Sequence, residues 1–343
     1  MSKDSLTCGI TLGDPAGIGP EVVVKALKDK RIQRLANFLI IGNSFVIEKT
    51  ARISKIRLKI DRIQSEEELP HKGIALLNVG DISKLVFGRG IAAYGLASLD
   101  CIKAALKLIE AKKIDTLVTA PVNKHTISQA RLPLIERGGQ AGRLFRGHTE
   151  YLAQRTKTRN FAMMLIGGPF KVVLATRHIA LKKVAKALTA EKIYEALDLT
   201  VFALKKYFGI RRPRIGVCGL NPHSGEEGIL GQEEIKIIRP AVIKAKKFAS
   251  IEGPLPADAL FYSASQGKFD AVVAMYHDQG LIPLKTFAFH QGVNLTLGLP
   301  FVRTSPSHGT AYDIAGKNKA NPGSMIAAIK LAVKIGSRLK GGE

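Results

Sequence analysis

An alternation of short apolar runs with longer stretches of helical spacing constrains this chain more than any other feature. Phe38–Ile41, Leu117–Thr119, Val172–Ala175, Ile215–Cys218 and Ala271–Met275 have strand length and carry no charge. Between them, Leu96, Leu99, Ile102, Leu106 and Ile109 recur at helical intervals and form one apolar stripe. Val184, Leu188, Ile193, Leu197, Val201 and Leu204 suggest a second helix. Strands separated by helices need crossover connections, so the expected class is α/β with a mainly parallel sheet.

Composition narrows the function classes. A length of 343 residues suits two packed domains. No apolar stretch reaches the roughly 18 residues of a membrane span. Met1–Leu12 lacks the basic head and apolar run of a secretory signal. Three cysteines (Cys8, Cys101 and Cys218) with no CxxC pair argue against a disulfide framework and for a reducing cytoplasm. The net charge of +24 fits either phosphate neutralisation on a nucleic acid or a lysine bias on solvated faces that favours anionic substrates. The basic residues are dispersed and tryptophan is absent, which counts against base stacking and nucleic acid.

The strand ends carry the chemical signal. Four apolar runs give way to polar clusters: LVTAPVNK, VVLATRH, IGVCGLNPHSGE and AVVAMYHDQG. Ligands of open α/β sheets bind just beyond the carboxyl ends of strands. Three of the clusters hold a histidine, namely His178, His223 and His277. Three imidazoles at successive strand ends suit a divalent metal with an open position. Asp278 and Glu226 lie close enough in sequence to orient the rings. His71 and His125 have no such context and read as structural. Gly88-Arg89-Gly90-Ile91-Ala92-Ala93 satisfies a loose GxGxxG/A pattern, but a strand before it is poorly supported, so it reads as a decoy.

These blocks resemble the 4-hydroxythreonine-4-phosphate dehydrogenase family of pyridoxal phosphate biosynthesis. The resemblance runs nearly end to end, through ITLGDPAGIGPEVV, TAPVNK, GHTEYLA, LATRH, CGLNPHSGEEGILGQEE, GPLPADALF, AMYHDQGLIPLK and VNLTLGLPFVRTSPSHGTAYDIAGK. It implies a two-domain fold similar to isopropylmalate and isocitrate dehydrogenases, with a mainly parallel sheet and an interdomain cleft. The implied division is a cofactor-side domain of residues 1–125 plus 300–343 and a metal, substrate and dimerisation domain of 126–299. Carried over by position, the resemblance makes His178, His223 and His277 the metal ligands at a homodimer interface, with His178 coming from the other subunit. It assigns substrate binding to His148, Thr149, Lys285, Asn294 and Arg303. Thr149 could instead cap a helix, and Lys285 and Arg303 could be surface cations. The resemblance places NAD at His308, Gly309 and Asp313. An acid at Asp313 would repel a 2′-phosphate, favouring NAD over NADP.

The implied reaction is oxidation of 4-phosphooxy-L-threonine at C3, followed by β-decarboxylation to 3-amino-2-oxopropyl phosphate. One divalent ion (zinc, cobalt or magnesium) would assist it. Asp258, Asp278 and Lys285 are the candidates for proton transfer, unranked by sequence, and Lys124 with Arg303 suits the phosphate. A sister activity on 4-phospho-D-threonate or 4-phospho-D-erythronate is the near alternative. A nucleic-acid-binding protein on the same scaffold is the remote one. Two departures from relatives stand out: an expanded basic stretch at 136–146, and Ala180 where relatives often have proline.

Overall fold

The computed structural model describes residues 6–68, 73–130 and 145–341. It divides into two compact units, Met1–Arg155 with Phe301–Glu343, and Thr156–Pro300. The chain therefore leaves the first unit once and returns to it. The family resemblance sets the first boundary earlier, near residue 125.

The first unit is a parallel sheet flanked by helices. Its strands are β1 (Thr7–Thr11), β2 (Asn37–Gly42), β3 (Asp61–Ile63), β4 (Ile74–Asn78), β5 (Thr116–Thr119) and β12 (Val302–Pro306), in the order β3-β4-β2-β1-β5-β12. Every described pairing within it is parallel. All residues of β2, β5 and β12 are buried, as expected of strands covered on both faces. Helix Ala92–Glu110 buries Leu99, Ile102 and Leu106 from the first apolar stripe. Helix Gly323–Lys340 approaches the sheet so closely that a Cβ on Gly336 would lie 2.5 Å from side-chain atoms of Leu6 and Thr116.

The second unit is mixed. Its strands are β6 (Ala162–Gly167), β7 (Phe170–Leu174), β8 (Arg214–Cys218), β9 (Ser250–Leu255), β10 (Ala271–Ala274) and β11 (Val293–Leu297), in the order β11-β6-β7-β10-β8-β9. β7, β10, β8 and β9 are parallel neighbours, whereas β6 runs antiparallel to both β11 and β7. Sequence reading identifies the three parallel strands that end in histidine clusters but not the antiparallel pair. Phe170, Val172, Leu174, Phe261, Val272 and Leu284 belong to one buried core. The Phe170 and Phe261 rings meet edge to face at 5.5 Å. Each such side chain stabilises the unit by roughly 1.5–3 kcal/mol on burial.

The second helical stripe divides. Val184 opens the short helix Val184–Ala187, whereas Ile193, Leu197, Val201 and Leu204 lie on helix Ala190–Lys206. Thr189, with an extended backbone, interrupts them: its side chain accepts from the Lys192 N–H at 3.2 Å and starts the second helix as its N-cap. Ala180 sits at φ −60, the angle a proline imposes, so alanine changes rigidity there but not path. His71 and residues 136–144 of the basic stretch lie outside the described residues. Among those described, no helix is long and apolar enough to cross a membrane.

Candidate active site

The three histidine loops of the second unit leave the carboxyl ends of β7, β8 and β10, with β10 between the other two. Parallel neighbours deliver their outgoing loops to the same edge of the sheet. The loops after β7 and β10 continue the strand pairing for two residues. Ala175 N–H donates to the Ala274 carbonyl at 2.9 Å and Thr176 N–H to the Met275 carbonyl at 3.1 Å. The Thr176 hydroxyl donates to that same carbonyl at 2.7 Å. Two residues beyond, the rings of His178 and His277 stand 5.6 Å apart, centroid to centroid. They line a cavity of about 400 Å³ with Thr176, Arg177, Tyr276 and Asp278 at its polar side. Asp278 Oδ1 lies 2.6 Å from His277 Nδ1. That contact fixes the ring and directs Nε2 away from the carboxylate, the orientation a metal-binding imidazole requires.

The third loop is held by two side chains that no sequence motif singles out. Buried Glu234 accepts through Oε1 from the N–H groups of Leu220 and Asn221 at 2.7 and 2.8 Å. Its Oε2 accepts from the Asn221 amide at 2.9 Å. Burial raises the Glu234 carboxyl, but these hydrogen bonds prevail and hold it below the usual range. Gln279 joins two loops: its Oε1 accepts from Met275 N–H and its Nε2 donates to the Gly219 carbonyl, both at 2.7 Å. His223 through Glu227 all have positive φ, and His178 has φ 35. Four of these five consecutive residues are not glycine, and such left-handed backbone persists only where surroundings impose it.

By donor type the histidine set fits a divalent metal, with imidazoles present and a carboxylate behind one of them. Within one chain the set is partial. His178 and His277 come together, but no group of three His, Cys, Asp or Glu side chains able to hold a metal occurs among the described residues.

The remaining candidates of this unit are separable by environment. Asp258 is exposed in the first turn of helix Ala257–Ser265. Asp278 is 72% exposed at its side chain. Lys285 is half-buried on helix His277–Ala288, its ammonium 5.2 Å from the Phe289 ring centre, and burial lowers its pKa. A lysine shifted down gives up its proton more readily. Asn294 on β11 has an Oδ1 shielded from solvent with no hydrogen-bond partner among the described residues.

A separate polar cluster is built in the first unit. Arg303, on β12, is only 2% exposed. Its guanidinium donates from Nε to Thr119 Oγ1 at 3.1 Å, also reaches that hydroxyl through Nη2, and contacts Thr149 Oγ1 through Nη1 at 3.5 Å. Burial pushes Arg303 down, with the Glu150 charge opposing the shift. Thr149 lies inside helix His148–Arg155, so it is not the helix cap. His148 Nε2 is buried and has no hydrogen-bond partner among the described residues. Burial first, then the charges of Arg303 and Lys124, hold its pKa well below the ordinary value, so the ring is neutral. Gly147 lets Lys124 approach: a Cβ there would be 3.2 Å from Lys124 Cε. Buried positive charge beside an imidazole with an unsatisfied nitrogen suits an anion bearing hydroxyl oxygens. His125, by contrast, is exposed and faces Gln129 on its own helix at 2.8 Å, matching its structural reading.

The loop after β12 carries His308, Gly309 and Asp313. Its far end is anchored by Lys25, which donates to the carbonyls of Asn318 and Ala320 at 3.1 and 2.9 Å. Glu21 accepts from Ala320 N–H at 2.8 Å. Gly309 faces open space and Asp313 is exposed. An anchored loop presenting an exposed carboxylate fits a dinucleotide's ribose hydroxyls. The Gly88–Gly90 turn begins ten residues beyond the end of β4, with no strand directly before it, which removes the context a phosphate-binding turn needs.

Comparison with known proteins gives a consistent result. The family model described as pyridoxal phosphate biosynthetic protein PdxA matches residues 34–332. A 4-hydroxythreonine-4-phosphate dehydrogenase of Desulforapulum autotrophicum is 42% identical over 97% of this chain and 96% of its own. A protein of Oceanobacillus iheyensis, provisionally named a D-threonate 4-phosphate dehydrogenase, is 38% identical over 98% of this chain and 99% of its own. Among solved structures, the 4-hydroxythreonine-4-phosphate dehydrogenase of Klebsiella pneumoniae superposes with a TM-score of 0.83 at 36% identity, covering 97% of this chain and all of that one.

Proposed function

The chain belongs to the PdxA family of pyridoxal phosphate biosynthetic dehydrogenases, and from that premise we propose that it oxidises 4-phosphooxy-L-threonine at C3 with NAD and decarboxylates the product to 3-amino-2-oxopropyl phosphate. One observation carries the substrate class: the buried Arg303 guanidinium with the Thr119 and Thr149 hydroxyls, beside neutral His148. These groups and Lys124 bind the substrate's anionic end. Asn294 Oδ1 is a shielded acceptor for the substrate amine.

The metal ligands are His178, His277 and His223, with Asp278 orienting His277. A bound divalent ion would acidify the C3 hydroxyl and polarise the carbonyl that replaces it, and bound NAD would accept the C3 hydride. Lys285 is the residue we assign to proton movement: it takes the hydroxyl proton during oxidation. After the carboxyl carbon–carbon bond breaks and carbon dioxide leaves, a proton is delivered to C2. The lowered pKa of Lys285 supports it over exposed Asp258 and Asp278. Asp313 sets the preference for NAD by repelling a 2′-phosphate. Three free, buried cysteines accord with a cytoplasmic enzyme.

The working form is a homodimer. Leu181, 71% exposed, follows the His178 loop, and Ile229, 81% exposed, follows the His223 loop. Ile282, Phe287 and Phe289 are exposed on or beside the His277 helix. Large apolar side chains around the histidine loops favour a protein partner. The second copy completes the set of three rings, its contribution being His178 in the family resemblance.

The similarity to the Oceanobacillus protein favours one second reading, oxidation of 4-phospho-D-threonate, with 4-phospho-D-erythronate as its isomer. NADH formation on each substrate, in enzyme stripped by chelator and then resupplied with zinc, cobalt or magnesium, separates the readings. The expected result is metal-dependent turnover of 4-phosphooxy-L-threonine with release of carbon dioxide. Full turnover without metal would end the metal assignment, and turnover of only the phospho-sugar acids would establish the second reading.

A further inference from the structure

Two glycine-bearing segments of the first unit converge on the loop that presents His308 and Asp313. Asp14, in the turn after β1, is fully buried. Its Oδ1 accepts from Ala16 N–H at 2.9 Å and its Oδ2 from the Tyr312 hydroxyl at 2.6 Å. The same turn donates from Ile18 N–H to the Thr310 carbonyl at 2.9 Å and receives Gly88 N–H at the Ala16 carbonyl at 2.8 Å. Glycines make this approach possible. A Cβ on Gly17 would stand 2.9 Å from the Thr310 oxygen, one on Gly88 2.8 Å from the Tyr312 oxygen, and one on Gly90 2.7 Å from the Tyr312 hydroxyl. Gly88 also has φ +75, which L side chains rarely adopt.

We propose that Asp14, acting through Tyr312, is the positioning residue for the nucleotide-binding loop, and that Gly88-Arg89-Gly90 is the seat of Tyr312 rather than a phosphate cradle. The proposal rests on the assignment of NAD to this loop. A buried carboxylate is costly unless its oxygens are hydrogen-bonded. Apolar packing could fill the same space without fixing direction, whereas the hydrogen bond specifies where the Tyr312 ring ends. Tyr312 immediately precedes Asp313, so fixing one aims the other. The phenol is pushed up by burial first and then by Asp14, and it stays the donor across the working pH range.

The test is NADH binding to the full chain, read by nucleotide fluorescence, in Tyr312→Phe, Asp14→Asn and Gly90→Ala. Steady-state constants and melting temperature are measured beside it. Tyr312→Phe should weaken NADH binding and raise KM for NAD roughly tenfold, the ratio given by one lost hydrogen bond to a charged group, with KM for the phosphorylated substrate within about twofold. Asp14→Asn, whose amide oxygen can still accept, should retain much of the affinity. Gly90→Ala displaces Tyr312 from the other side and should reproduce the Tyr312→Phe pattern, which covers the case of an unstable Tyr312 variant. Wild-type NADH affinity in Tyr312→Phe and Gly90→Ala, with only a lower melting temperature, would make the latch merely structural and overturn the proposal. Unchanged affinity in Asp313→Asn would instead refute the placement of NAD, and the proposal with it.

Discussion

Arg303 combines two properties that rarely coexist, a full charge and almost complete burial. Its fork spans two hydroxyls, Thr119 and Thr149, and this geometry distinguishes arginine from lysine at such a site. Arg303→Lys should therefore reduce kcat/KM for the phosphorylated substrate by about a hundredfold, equivalent to roughly 2–3 kcal/mol, while KM for NAD stays near wild type. Steady-state kinetics with each substrate varied in turn decides it, and a lysine variant with unchanged substrate KM would remove Arg303 from the site. At this scale the sequence is informative wherever a residue type carries its own chemistry. The histidines at strand ends can be singled out, whereas Arg303 enters only through the family resemblance. Glu234, Gln279 and Asp14 cannot be singled out, because their roles come from partners brought together by folding. Gln279 reaches Gly219 across sixty positions of chain, and Asp14 reaches Tyr312 across nearly three hundred. Neither separation leaves a local pattern.

At the scale of elements, strand register decides where each cluster emerges. Asp270 clamps two adjacent strands at their starts, accepting from Arg214 N–H at 2.8 Å and from its guanidinium at 3.1 and 3.3 Å. Burial raises the Asp270 carboxyl, but Arg214 outweighs it and the net shift is downward. A carboxyl depressed in the folded state adds stability above its unfolded pKa of about 3.9. That stability is lost as pH falls through the folded value. Asp270→Asn should thus flatten the acid limb of a stability–pH curve and cost about 1 kcal/mol or less near neutrality, since Arg214 is half exposed. Urea melts between about pH 3 and 7 would show it, and an unchanged acid slope would contradict the clamp. Five of the parallel strands, β2, β5, β7, β8 and β10, are legible because burial on both faces makes them continuous apolar runs. The antiparallel β6 and β11 have similar composition without a terminal polar cluster, so nothing marks them. The stripe from Val184 to Leu204 reads as one helix because periodicity is blind to a cap: Thr189 restarts the helix without losing the apolar face.

For the whole molecule, the exposed apolar residues around the histidine loops carry the dimer proposal. Ile229→Asp or Leu181→Asp should shift the protein toward monomer in sedimentation and, with it, lower metal retention and turnover together. A monomer that keeps full metal content would place all three ligands within one chain. The net charge of +24 acts over longer range. It favours encounter with doubly charged phosphorylated substrates and is screened within about 8 Å at physiological ionic strength.

The return of residues 301–341 to the first unit also sets an order of events during synthesis. The segment 156–300 is contiguous and can pair its own six strands as soon as it is made. The first unit cannot, because β12 pairs with β5 only after the last stretch of chain appears. Until then β5 presents an open, apolar edge, the kind of surface that invites intermolecular pairing. The second half to finish is therefore the one that begins first, and a chain cut short before residue 301 would leave β5 without its β12 neighbour.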